Sequence, residues 1–271
     1  NAAVAAARAG ARVQLVGAVG ADSAGADARS LLQAEGVALD GVEILADVPT
    51  GAALIVVDAK GENQIALGPG ANGAMTPALV GRALQRSLAG AALVLVSTEI
   101  PLAAVEAAMR AARDAGVPLM LNPAPVLDGL EALLPLGPVL TPNELELFDL
   151  AGRLSPGQRP ARGDTDGALR SLHAITRAPV IATLGAAGCR ALDAAGRLHS
   201  FAPPPVAVVD TTGAGDTFNG VLAARLALGE TLLVAVRAAV VAAALSVTAP
   251  GARGGMPDAA SLAARLASLD A

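Results

Sequence analysis

The chain has 271 residues, of which 54% are apolar, with a net charge of −5, one lysine (Lys60), one cysteine and neither Trp nor Tyr. That is enough apolar chain for one large α/β domain or two small ones, and the lack of aromatic platforms and basic runs argues against a nucleic-acid partner. The lone Cys189 excludes a disulfide framework and a Cys-based zinc site and reads as a small core residue, while His173 and His199 read as solvated surface positions.

From the start, Ala2 to Ala9 reads as an Ala-rich helix stopped by Gly10. No cationic segment followed by an apolar one opens the chain, so no secretory leader is read and a cytoplasmic protein is expected. A natural domain rarely begins mid-helix, and residues before Asn1 are expected to be missing. Val13 to Val16 reads as a strand and Ala24 to Glu35 as a helix closed by Gly36. Ala52 to Val57 and Gln64 to Leu67, joined by Asp58-Ala59-Lys60-Gly61, read as a hairpin and a candidate lid at about 51–68. Gly68-Pro69-Gly70-Ala71-Asn72-Gly73 matches a dinucleotide fingerprint, but Pro69 removes a donor and Thr76-Pro77 places the next helix start beyond it, so the match reads as accidental.

That helix runs to about Leu88. It is followed by strand Leu93–Val96, helix Leu102–Ala115, strands Leu119–Leu121 and Val139–Leu140, and helix Glu144–Ala151 ending at Gly152. Leu154 to Asp166 reads as a surface loop, Ala168 to Thr176 as a helix, Val180 to Thr183 as a strand and Val206 to Val209 as the end of a strand. Phe218, Val221, Leu222 and Leu226 have helical spacing with Gly229 as the stop. Thr231 to Ala249 is apolar enough to suggest a membrane span, but Arg237 lies inside it and a buried helix is the better reading. The alternation of strands and helices predicts a mostly parallel sheet covered on both faces, in a single domain over residues 1–271.

The richest stretch is Asp210-Thr-Thr-Gly-Ala-Gly-Asp-Thr-Phe-Asn-Gly220. Gly213, Ala214 and Gly215 offer backbone N–H groups at the positive end of a helix, a ready anion site, with Asp216 at the same mouth. Transfer of a phosphoryl group to a hydroxyl uses both: donors for the moving charge and a carboxylate for the proton. On Gly-Ala-Gly alone, a plain strand-to-helix turn is an equal reading. Glu99 follows a strand as either a solvated or a ligand-facing acid. Asn143 and Glu146 have capping-box spacing, which also suits a polar site. Thr183-Leu-Gly185-Ala-Ala-Gly188 is either a Gly-rich turn or a ligand-approaching loop. With no Walker lysine, any phosphate grip must come from backbone groups and bound metal.

The eleven-residue stretch closely resembles the C-terminal signature of the ribokinase (PfkB-type) family of sugar kinases. The likeness extends along the chain through Val16 to Gly25, Gly51 to Ile55, Leu121-Asn-Pro-Ala-Pro125 and Thr141-Pro-Asn-Glu144. It implies a three-layer α/β/α sandwich with a small β lid, and ATP-dependent phosphorylation of a sugar primary hydroxyl, with D-ribose the first choice. By this resemblance Asp216 is the base and a sugar contact, the 213–215 backbone is the anion hole, and Asn1 and Glu99 orient the sugar. Asn143 and Glu146 arrange Mg²⁺ and its waters, Thr183, Gly185, Gly188 and Val240 approach the nucleotide, and Asp210, Thr212, Ser246, Ala249, Gly251 and Gly255 hold K⁺, largely by backbone oxygens. Relatives often dimerise through the lid. Two departures stand out: the Gly-Gly-Lys-Gly segment that precedes the Asn in the family has no counterpart before Asn1, and Val240 stands where relatives often carry a polar residue. Another sugar or nucleoside kinase, or a nucleotide-binding remnant without activity should the upstream segment truly be absent, are the alternatives.

Overall fold

The structure, a computed structural model, describes residues 1–57, 63–154, 161 and 163–270. Its centre is a six-stranded sheet in the order β10-β9-β8-β7-β6-β5. Strands β5 (Val94–Ser97), β6 (Leu119–Asn122), β7 (Val139–Leu140) and β8 (Val180–Thr183) are parallel; β9 (Cys189–Leu192) and β10 (Leu198–Phe201) add an antiparallel edge. A strand's side chains alternate between faces, and here each face meets its own core. Leu119, Leu121, Val180 and Ala182 join one cluster, while Met120 and Ile181 join the other. The uninterrupted apolar runs read in these strands are what burial on both faces requires.

Helices α4 (Pro77–Ser87), α5 (Leu102–Asp114), α6 (Glu144–Leu154) and α7 (Thr165–Thr176) cover the first face. Helices α1 (Ala2–Arg8), α8 (Ala214–Ala227), α9 (Leu232–Ser246) and α10 (Ala259–Asp270) cover the second. The three expected layers are therefore present. Helix α9 is the buried helix expected of the most apolar window, with Arg237 reaching out to pair with Asp270. Among the described residues no helix is long and apolar enough to cross a membrane.

Strands β1 (Gln14–Gly20) and β2 (Ala38–Leu45), connected by α2 (Ser23–Ala34), form a separate parallel pair with no strand pairing to the large sheet among the described residues. Strands β3 (Ala52–Val57) and β4 (Asn63–Gly68) pair antiparallel as the expected hairpin, whose turn lies outside the described residues. The hairpin's root is tied to the Val16–Gly25 motif. Asp22 caps α2 through the Gly25 N–H and also accepts from the Thr50 N–H (2.8 Å) and Thr50 hydroxyl (2.6 Å). Gly68–Gly73 runs into a short helix, α3 (Gly70–Gly73), ahead of the Thr76-capped α4.

Several expectations need correction. Val206–Val209 is not a strand. It follows Pro203-Pro204-Pro205, which cannot donate to a ladder, and Val208 and Val209 are 62% and 60% exposed. His173 and His199 are not solvated: each is half-buried and hydrogen-bonded, to the Ala178 carbonyl and to Asp193. Helix α6 passes through the buried Gly152 to Leu154, and α7 starts at Thr165 because Asp164 caps it. The loop expected at 154–166 falls largely outside the described residues. Cys189 is buried and free, and burial pushes its thiol up to about 12.

Candidate active site

Helix α8 is preceded by Gly213 at its N-cap, which has φ +76° and packs so tightly that a Cβ there would lie 2.6 Å from the Ala252 carbonyl oxygen. No side chain caps the helix start. The Ala214 N–H makes a long bond to the Thr211 carbonyl (3.3 Å), whereas the Gly213 and Gly215 N–H groups make no backbone bond to described residues outside the helix. Uncapped donors at a helix N-terminus are an anion site in waiting. Asp216, in the first turn of that helix, stands half-buried beside it.

Helix α1 brings Asn1 to this acid. It crosses α8 where Gly220 leaves no room for a side chain: a Cβ there would lie 2.3 Å from the Ala2 carbonyl oxygen and 2.7 Å from the Ala5 Cβ. At that close approach the Asn1 Nδ2 donates to Asp216 Oδ2 at 2.9 Å. Glu99, at the end of β5, faces the same place. Desolvation, and then the charge of Asp216, raise its carboxyl above the usual range. Asn1, Glu99 and Asp216 therefore converge although they are far apart in sequence.

The next group is joined through the ends of β7 and β8. Asn143 forms a bridge with Thr183, and the Thr183 N–H donates to the Pro142 carbonyl (3.0 Å). Asn143 and Glu146 form a reciprocal cap: the Asn143 N–H and Nδ2 donate to the Glu146 carboxylate at 2.8 and 2.7 Å, and the Glu146 N–H donates back at 2.9 Å. Desolvation raises the Glu146 carboxyl, opposed by the Asn143 N–H. Two buried residues that sequence reasoning missed fasten this corner to α8. The Thr141 hydroxyl donates to Asn219 Oδ1 at 2.6 Å, and the Asn219 Nδ2 donates to the Gly215 carbonyl at 2.9 Å. Among the described residues no three or more His, Cys, Asp or Glu gather as a metal cluster. An Mg²⁺ ion held mainly by substrate phosphates and waters, with one carboxylate nearby, fits that donor set.

Gly185 and Gly188 sit in the turn after β8 at φ +55° and +83°, and a Cβ on Gly188 would lie 1.9 Å from the Phe201 carbonyl oxygen. Val240 is 5% exposed and lines a cavity of about 400 Å³ with Phe201, Pro203, Pro204 and Val241. Gly188 adjoins that wall through Pro203, at 2.9 Å from the same hypothetical Cβ.

The six residues expected around a monovalent cation are split between the loop before α8 and the end of α9 with the loop that follows it, and the two segments are tied together. Asp210 accepts from the Thr212 N–H (2.9 Å) and the Gly251 N–H (2.8 Å). Val209 and Asp210 donate to the Val247 carbonyl, and Gly255 is pressed against the Ser246 carbonyl. The Ser246 hydroxyl is bonded within its own helix, to Ala243, and Ala249 lies between Ser246 and Gly251 on the loop. The Thr212 and Gly251 N–H groups hold the Asp210 carboxyl below its usual range. An acid whose folded-state pKa is depressed stabilises the fold fully above its unfolded pKa, about 3.9, and loses that contribution as pH falls through the folded value. Urea unfolding should therefore show wild type more stable than Asp210→Asn near neutral pH, with the gap narrowing as pH falls below the unfolded carboxyl value of about 3.9. A gap constant over the whole range would count against the clamp.

The model of the pfkB family carbohydrate kinases matches residues 1–259, a span that contains every residue described above as part of the site. The chain belongs to the pfkB family of carbohydrate kinases. It aligns over most of its length with curated relatives. It is 38% identical to the ribokinase of Bacillus subtilis (strain 168) over 258 residues, covering 95% of this chain and 82% of that protein. Among solved structures, a Thermotoga maritima ribokinase superposes with a TM-score of 0.86 at 28% identity, covering 98% of this chain and 85% of that one. An Arabidopsis thaliana ribokinase complexed with ribose and ATP gives 0.82 at 28% identity, covering 98% and 85%.

Proposed function

We propose that this chain transfers the γ-phosphoryl group of ATP to a sugar primary hydroxyl, and that the sugar is D-ribose. The observation that carries the chemistry is the uncapped start of α8 with Asp216 in its first turn, 2.9 Å from the Asn1 amide. The ribokinases among its relatives, and the bound ribose and ATP in the Arabidopsis structure, support the choice of substrates. Asp216 takes the hydroxyl proton as the oxygen attacks. The N–H groups at Gly213 to Gly215 bear the charge on the moving phosphoryl, a role that backbone donors fill without reorganising. Glu99 and Asn1 orient the sugar beside Asp216.

Thr183, Gly185, Gly188 and Val240 form the nucleotide side, with only apolar contact available from Val240. Mg²⁺, when bound with the nucleotide, neutralises phosphate charge, and Asn143 and Glu146 are placed to hold its waters. Asp210, Thr212, Ser246, Ala249, Gly251 and Gly255 form an oxygen-rich loop pair suited to K⁺, which would hold the anion hole in shape. Assembly through the β3–β4 hairpin and a cytoplasmic location belong to the same reading.

The test is ADP release measured with ribose, deoxyribose, fructose and adenosine. Ribose is expected to give the highest kcat/KM. A preference for adenosine would move the chain to nucleoside phosphorylation, and ATP binding with no acceptor-dependent ADP release would make it a nucleotide-binding protein without this activity.

A further inference from the structure

Arg253 is a cation within the Gly-rich loop Gly251-Ala-Arg-Gly-Gly255, between two residues assigned above to the K⁺ loop, and the phosphotransfer described so far gives it no task. Its Nε donates to Asn1 Oδ1 at 3.0 Å, and the Asn1 Nδ2 donates to Asp216 Oδ2 at 2.9 Å. Both polar atoms of the Asn1 side chain are thus engaged in one relay that ends on the acid. An amide can present either its oxygen or its nitrogen to a neighbour, and the two faces differ little in shape. An arginine has donors only. A donor on one side forces the Asn1 oxygen toward Arg253 and its NH₂ toward Asp216. With the amide reversed, an oxygen would face the carboxylate and repel it.

The loop carrying Arg253 is itself held from both sides. Ala252 is wedged against Gly213, where a Cβ would come within 2.6 Å of its carbonyl oxygen. Arg8 Nη1 donates to the Arg253 carbonyl at 2.9 Å and the Met256 carbonyl at 3.2 Å, and Arg8 is fixed by two bonds to Glu35, at 2.8 and 2.5 Å. Side chains locked by such supporting bonds keep a reacting group in its productive geometry.

We infer that Arg253 is a positioning residue for the phosphotransfer: through Asn1 it pins Asp216 Oδ2 and leaves Oδ1 free to accept the hydroxyl proton. The inference rests on Asp216 acting as the base. The interaction runs through Nε, which suggests a discriminating pair of variants. Glutamine has its amide nitrogen the same number of bonds from the backbone as arginine Nε, so Arg253→Gln keeps a donor in place without the charge. Arg253→Met keeps the length and removes the donor.

The experiment measures kcat and the KM values for ATP and ribose in the full chain and both variants, with thermal melting to confirm folding. Arg253→Met is expected to lower kcat roughly 10-fold, the value of one positioned hydrogen bond to a charged group, while KM for ATP stays unchanged. Arg253→Gln should restore most of that loss. Wild-type kcat in Arg253→Met, or an equal loss in Arg253→Gln, would overturn the inference while leaving the kinase reading intact. A wild-type chain without sugar-dependent ADP release would overturn both.

Discussion

An Asp216→Asn protein is expected to fold like wild type and to turn over roughly 10²–10⁴-fold more slowly, the usual worth of a general base. The substitution preserves shape and keeps an oxygen for the Asn1 amide, whose Nδ2 now donates to Oδ2 at 2.9 Å. It removes the ability to take a proton from the attacking hydroxyl. The first turn of α8 should survive, since Thr217 N–H and its hydroxyl both bond to the Gly213 carbonyl independently of residue 216. Steady-state ADP release, with a thermal melt on the same sample, separates lost chemistry from lost fold. Near-normal turnover would remove Asp216 from the mechanism.

The second large effect divides two glycines of one motif. Gly213 has φ +76° and faces the Ala252 carbonyl, whereas a Cβ on Gly215 would meet nothing within 4 Å. Gly213→Ala must bear the left-handed backbone penalty of about 1–2 kcal/mol and overpacking of about 1–3 kcal/mol. For a domain of this size that is a fall in Tm of roughly 4–10 °C. It should also slow turnover, because the wedge against Ala252 sets the direction of the helix start. Gly215→Ala should change stability by less than about 0.5 kcal/mol. Equal melting temperatures for the two variants would contradict this account of the loop.

Much of the architecture was legible because strands such as Leu119–Leu121 and Val180–Ala182 are buried on both faces and must be apolar throughout. The same rule misled at Val206–Val209, where β-branched residues have no neighbouring strand to pair with. Strand β2 escaped notice because Asp40, Gly41 and Glu43 interrupt its apolar pattern, and α10 because Leu262 is its one buried residue. Within the site, Asn143 and Glu146 were readable, since they are three residues apart and interact locally. The Thr141–Asn219 bond and the Arg253–Asn1 bond join residues 78 and 252 positions apart. Nothing in a single sequence announces pairings of that range; only the packing of α8 beneath α1 and beside β7 brings them about. A lone cation in a glycine-rich loop was the one available hint of Arg253.

The β1–β2 pair shares no ladder with the large sheet among the described residues. Strands in one ladder move together, whereas elements joined by side-chain packing can slide past each other. The small pair carries Asp22, whose grip on Thr50 fastens the β3–β4 hairpin to it. The large sheet anchors the corner at Thr141 that fixes α8 and Asp216. Helix α4 touches β1, β2 and α5. The β1–β2 ribbon is nevertheless coupled to the chemistry: Glu35 at the end of α2 grips Arg8, and Arg8 holds the Arg253 carbonyl, so a slide of the hairpin with its ribbon would pull on the relay that ends at Asp216.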